Sequence, residues 1–225
     1  PLNLIKSKFA YTVDGGHFGE LETECFNAYS ALVTFIGKAT HTGTARAGGM
    51  VNAVNIASRF VESIPVTERP ETTFGYEGFF AVLEIKGSVE KTSVSMILRD
   101  FTIAGMEKRI ETVRKLAESA ALSFGGVAEV SFSEQYKNMK SALEKNPLVV
   151  ENLVKAYEES GITPVFVPIR GGTDGSRLSE IGIPTPNIFT GGHNYHSRNE
   201  WASLDQMSAA TDVLINLAQK VAETK

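Results

Sequence analysis

Apolar residues along this chain change period several times, and each change marks an element. Phe9 to Val13 (FAYTV) reads as a short strand that closes on Asp14-Gly15-Gly16, and Tyr29 to Gly37 (YSALVTFIG), rich in β-branched and aromatic side chains, reads as another. Met50, Val54, Ala57, Val61 and Ile64 then recur at spacings of four and three, which places them on one face of a helix that stops before Pro65. Phe79 to Lys86 and Thr92 to Phe101 are strand-like runs with a hairpin signal, Gly87-Ser88, between them. A second helix is predicted from Met106, Ile110, Val113, Ala117, Ala120 and Phe124. Gly125-Gly126 ends it before a strand at Ala128 to Phe132.

The order β-α-β-β-α-β is that of a split βαβ unit, in which two helices cover one face of a four-stranded antiparallel sheet. From Asn146 the pattern becomes a helix (Pro147 to Ser160), a strand (Val165 to Val167), a short helix, a strand (Asn187 to Phe189) and a long final helix. That last helix opens on Ser203-Leu204-Asp205-Gln206, a capping-box pattern, with Met207, Leu214, Leu217 and Val221 expected inward. The expected fold class is α/β. Residues 27–134 form an inserted unit, and residues 1–26 and 135–225 form the interrupted α/β layer around it.

Composition narrows the function classes. The chain has 225 residues, 42% of them hydrophobic, with a net charge of -4 and a pI near 5.7, so it has no basic field for a phosphate backbone. No apolar run has membrane-spanning length. No nucleic-acid or membrane partner is expected. Cys25, the single cysteine, cannot form an internal disulfide, which agrees with a cytoplasmic setting. The opening PLNLIKSKFAYTV lacks Met and runs straight into a strand, as the middle of a gene product would.

Several residues are candidates for chemistry, each with a plainer alternative. Asp14 ends a strand, where open α/β sheets collect ligands, and is otherwise a turn aspartate before Gly-Gly. His196 sits in a loop after Gly191-Gly192 with Glu200 four residues on; it is a ligand candidate or a surface imidazole, with His193 a weaker one. Gly171-Gly172-Thr173-Asp174-Gly175 could make an anion-holding nest, or Asp174 could cap a short helix. His41 is an exposed loop imidazole or a donor to a developing oxyanion. Arg99 in ILRDF either pairs with an acid such as Asp100 or Glu84 or binds a ligand carboxylate.

Taken together, YTVDGG, THTGTA leading into MVNA, GYEGFF, ILRDF, PIRGGTDGSRLS and NIFTGGHNYHSRNEW resemble, in that order, the peptidase T (tripeptide aminopeptidase) group of the M20 metallopeptidase family. The resemblance implies a zinc-peptidase-like catalytic domain with a ferredoxin-like lid inserted in it. It also implies a pair of zinc ions that activate water to release the N-terminal residue of a tripeptide. By the same resemblance Asp14 and His196 are ligands of different zinc ions, and His41 is the lid histidine that steadies the oxyanion. Arg99 and Thr173 hold the substrate, with Arg170 and Asp174 supporting that loop. A short peptide is the expected partner, and a homodimer through the lid is a further one.

The same comparison exposes departures. M20 enzymes also use a His-x-Asp pair, a bridging Asp and a Glu-Glu pair upstream of the YTVDGG segment. No histidine here has Asp at the second position after it, and Glu158-Glu159 falls on a predicted helix in the other half of the chain. Weak zinc binding and negligible turnover are therefore expected of this chain by itself. Two alternatives remain: another M20 amidohydrolase, such as a deacylase or carboxypeptidase, and a non-catalytic oligomerisation or binding module.

Overall fold

The structure, a computed structural model, describes residues 4–223, so the outermost positions of the expected domain limits lie outside the described residues. In chain order the elements begin with strands β1 (Thr12–Gly15), β2 (Glu20–Glu22) and β3 (Asn27–Ile36). A 3-10 turn (Thr42–Thr44), a short helix α1 (Ala45–Gly48) and helix α2 (Ala53–Ser63) follow. Next come β4 (Phe79–Gly87), β5 (Lys91–Asp100), α3 (Ile103–Phe124) and β6 (Val127–Tyr136). The remainder is α4 (Lys140–Glu144), α5 (Pro147–Glu159), β7 (Val165–Phe166), α6 (Asp174–Glu180), β8 (Asn187–Phe189), β9 (Gly192–His193), β10 (Trp201–Ala202) and α7 (Leu204–Glu223). No helix among the described residues is long and apolar enough to cross a membrane. The chain divides into two compact units, residues 26–135 and residues 1–25 with 136–225.

Residues 26–135 carry a sheet of order β4-β5-β3-β6, in which the first and last strands of the β-α-β-β-α-β unit are neighbours. Val33 and Phe35 of β3 and Val94, Met96 and Leu98 of β5 share one core with α2 and α3. Asn52 starts α2 by accepting a hydrogen bond from Val54 N at 2.9 Å, and Ile64 before Pro65 ends it. Its buried stripe is Ala53, Ile56, Ala57 and Phe60, with Ile64 just beyond; Ala57 and Ile64 are on the expected face and Val61 packs against the same core, but Val54 is 39% exposed. Residues four apart, Ala53 with Ala57 and Ile56 with Phe60, line this stripe, and Val54 falls to its side.

In α3 the buried positions include Met106, Val113, Ala117 and Ala120 as expected, but Ala121 is buried and Phe124, beside the left-handed Gly125 cap, is exposed. Arg109 is buried in the same helix. Its guanidinium lies over Phe80 and pairs with Asp100 at 2.9 Å and Glu68 at 2.8 Å, so the charge that enters the core does so paired.

The other unit is built on a mixed sheet of order β1-β8-β2-β7, with β1 parallel to β8, β8 antiparallel to β2 and β2 parallel to β7. Helices α5 and α7 pack together, and Leu153, Tyr157, Ala210, Val213 and Leu217 share a core with Leu21, Ile188 and Phe189 of the sheet. β1 starts three residues later than FAYTV suggests. Ala10 N and Thr12 N donate to Pro184 O and Pro186 O, but the prolines have no N–H to return, so the ladder closes only at Thr12. At its other end the strand runs on to Gly15, which pairs with Phe189, so Asp14 lies inside the strand and not after it.

In α7 the inward residues are Ala210, Val213 and Leu217, whereas Met207 and Leu214 are exposed. Its capping box is half formed. Ser203 Oγ accepts from Gln206 N at 3.4 Å, but Ser203 N donates to Gly191 O and the Gln206 side chain goes to His193.

Candidate functional site

Because β1 and β8 are parallel neighbours, their carboxyl ends lie together, and the segments that follow them bear the candidate chemistry. The register breaks between Val13 and Gly15, which makes Asp14 the extra residue of a bulge, with its side chain exposed. After β8, the segment 190–203 folds back through the β9–β10 pair, where His193 lies opposite Trp201. Between these strands Asn194 and His196 both take left-handed backbone, at φ 56° and 63°. Asn accommodates that conformation readily; for His196 it costs on the order of 1 kcal/mol. Part of this is offset by its N–H, which donates to Glu200 Oε2 at 3.1 Å.

Tyr195, between those two residues, ties the loops together. Its hydroxyl donates to Gly15 O at 3.2 Å and shares a 2.5 Å bond with Thr190 Oγ1. Asp14 and His196 are thus the chain neighbours of two residues joined by one hydrogen bond. Gly192 makes this closure feasible, because a Cβ there would sit 2.4 Å from the Tyr195 hydroxyl oxygen. His193 faces elsewhere. Its ring stacks on Trp201 at 4.1 Å and 13°, and Nε2 is 2.8 Å from Gln206 Oε1.

Bonded to Gly16, just past the bulge, is a buried carboxyl that no local sequence pattern singles out. Glu22, 6% exposed, pairs in register with Asn187, and its Oε1 accepts from Gly16 N at 3.3 Å. Burial pushes its carboxyl up from 4.5 to about 7; the nearby Asn187 and Gly16 donors oppose the rise, and the charges of Glu20 and Asp14 add to it. Glu22 Oε2 and Asn187 Nδ2 are both buried, and neither reaches a partner at full hydrogen-bond geometry.

Thr173, not Asp174, caps α6: its Oγ1 accepts from Gly175 N at 3.2 Å and donates to Asn187 Oδ1 at 3.0 Å. The hydroxyl expected to meet substrate is therefore engaged internally. Asp174 occupies the first helical turn instead. Arg170, half-buried, follows the Cys25–Ile169 bridge at the start of the same Gly-rich segment.

In the unit of residues 26–135, Arg99 donates to Tyr29 O at 3.3 Å, Leu98 O at 2.9 Å and Gln135 Oε1 at 3.1 Å. The acid at position 100 pairs with Arg109. His41 is exposed in the loop before α2, and its Nδ1 accepts from Gly43 N at 3.1 Å.

Carboxylate oxygen and imidazole nitrogen suit zinc in kind, and the bulge and the strained His196 are backbone features that often accompany ligand sites. In number they fall short. No group of three or more His, Cys, Asp or Glu among the described residues is placed to hold a metal ion, and a zinc site takes three or four protein donors. What the arrangement offers is two donors on tethered, adjoining segments.

Residues 14–220 match the sequence profile of peptidase family M20/M25/M40. The chain belongs to the M20 family. Among the M20 relatives, Peptidase T of Clostridium perfringens (strain SM101 / Type A) is 49% identical over 216 residues, covering 96% of this chain and 53% of that protein. Peptidase T of Exiguobacterium sibiricum is 46% identical over 219 residues, covering 97% of this chain and 53% of that protein. The M20 chain thus spans about half the length of the curated relatives it matches.

Its fold is that of solved M20-type enzymes. The aminopeptidase PepT of Bacillus cereus superposes with a TM-score of 0.82 at 23% identity, over 99% of this chain and 59% of that one. A tripeptidase from Staphylococcus aureus gives 0.85 at 20% identity, again over 99% and 59%. A dinuclear metal-binding M20 peptidase from Bacillus subtilis gives 0.65 at 14%, over 96% and 57%.

Proposed function

We propose that this M20 chain is the part of a metal-dependent aminopeptidase that supplies one donor to each of two zinc ions, and that the whole enzyme releases the N-terminal residue of tripeptides. The observation that supports this reading most directly is the Tyr195–Gly15 hydrogen bond, which tethers the Asp14 bulge to the His196 loop, in a chain 49% identical to a Peptidase T. Bound zinc supplies a water of lowered pKa and a polarised carbonyl to such sites. The residues of this chain do the rest of their share as follows: Asp14 and His196 present the donors, His41 donates to oxygen as it gains charge, and Arg99 with the Arg170–Thr173 segment orients the peptide. A cytoplasmic setting is supported by the one cysteine of this chain, Cys25, which is free and buried.

Zinc titration of the purified chain, followed calorimetrically, is expected to show weak binding, and a tight two-site isotherm would contradict the shared-donor reading. A polypeptide joining this chain to the rest of the length of its relatives is expected to hydrolyse a free tripeptide, spare its N-acetylated form and lose activity with His196→Ala. Cleavage of the acetylated peptide would favour a deacylase or carboxypeptidase of the same family instead. A homodimer through residues 26–135 is supported by the long edge strands β4 and β6 of that unit, and light scattering on those residues tests it.

A further inference from the structure

His41 lies in a loop whose base is closed by the antiparallel bridge between Lys38 and Val51, with N–O distances of 2.7 and 3.0 Å. Inside that loop Gly43 N–H donates to His41 Nδ1 at 3.1 Å, while Thr44 N–H returns to His41 O at 3.1 Å. The imidazole is therefore the cap of its own turn. A ring nitrogen that accepts an N–H uses its lone pair and carries no hydrogen, so on a neutral ring the single hydrogen sits on Nε2. Glycine at position 43 is part of the fit. A Cβ there would lie 3.1 Å from His41 Cε1 and 3.3 Å from Nδ1, tighter than ordinary contact.

We propose that Gly43 is a positioning residue that holds His41 as the Nε2–H tautomer, so that this imidazole meets its ligand as a hydrogen-bond donor and neither as a base nor as a metal ligand. The proposal rests on the reading of His41 as an oxyanion donor and adds to it that the donor state is built into the loop before any ligand arrives. The ligand atom it fits is an oxygen that carries or develops negative charge. A bare Nε2 would repel such an atom, and a ring that exchanged freely between tautomers would leave Nε2 bare part of the time.

The test is a long-range 1H–15N correlation spectrum of the 15N-labelled chain at alkaline pH, where an ordinary imidazole is neutral. Only four histidines contribute, and His41 is assigned by the signals missing from His41→Gln. The expected result is one fixed tautomer for His41, protonated at Nε2 and bare at Nδ1. Gly43→Pro, which deletes the donor, is expected to move both ring nitrogens to the averaged values of free imidazole, whereas Gly43→Ala, which keeps the amide, should retain the tautomer with a displaced ring. A native ring already at the averaged values, or protonated at Nδ1, overturns the proposal even if the proline variant misfolds; so does a folded Gly43→Pro chain with an unchanged ring. Failure of the underlying reading looks different: a fixed Nε2–H tautomer in an enzyme whose hydrolysis is indifferent to His41→Gln.

Discussion

Tyr195 does with one hydroxyl what neither glycine-rich segment can do by itself, since it holds the residue after Asp14 against the residue before His196. Tyr195→Phe removes that strut and leaves the ring. The expected cost is about 1 kcal/mol in a urea titration, with zinc affinity lower by roughly 10-fold in calorimetry; unchanged values in both would deny it the role. Glu22 gives a pH dependence of definite sign. Its carboxyl rises from 4.5 to about 7 on folding, so the stability it contributes is fully present below about 4.5 and is lost as pH climbs through about 7. Glu22→Gln should therefore flatten the stability profile across that window, by on the order of 3 kcal/mol, and stabilise the chain at pH 8. Equal slopes for the two proteins would show that the carboxyl titrates normally. Candidates such as Asp14, His41 and His196 were legible because turn chemistry and motif order announce them. Glu22 and Tyr195 were not. Their roles come from a register with Asn187 and from a contact between residues 180 apart, which no local pattern encodes.

At the scale of elements, long periodic segments were readable, and of the short ones β7, α6 and β8 were, whereas others were not. β3, β5, α3 and α5 stand within a few residues of where alternation or helical spacing placed them, because each buries a continuous stripe. β2, β9 and β10, of three residues or fewer, are too short to show a period, and α4 has only five. Phase errors had a local cause as well. In α2, which Asn52 caps, the face against the sheet is lined by small residues as well as large, Ala53 and Ala57 with Ile56 and Phe60, so a run of large side chains misplaces it. Thr102 caps α3 in the same way, accepting from Gly105 N at 2.9 Å and donating to Asp100 Oδ1 at 3.1 Å. Thr102→Ala is expected to lower stability by about 1 kcal/mol, measured by the midpoint of chemical unfolding with an unchanged slope, and to loosen the Asp100–Arg109 pair. A midpoint within error of the parent would show that water replaces the cap.

For the molecule as a whole, the interruption of one α/β pattern by a β-α-β-β-α-β order carried the architecture, since the strand order β4-β5-β3-β6 puts the first and last strands of the insert side by side. Each unit has its own core, Phe35, Phe60 and Leu98 among others in one and Leu153, Tyr157 and Phe189 in the other. Residues 26–135 made alone are expected to unfold cooperatively in urea, and a non-cooperative, dye-binding fragment would show that its core depends on the remaining chain. The bonds Tyr29–Glu134 and Ser30–Ser133 run in antiparallel register, so the start of β3 and the end of β6 are a strand spacing apart, about 5 Å. Entry and exit therefore share a single doorway, with one covalent crossing at Cys25–Phe26 and the other at Gln135–Tyr136. Recombination at those two junctions can swap the whole module for one of different surface without rewriting either interior, which makes the scaffold a socket for interchangeable parts.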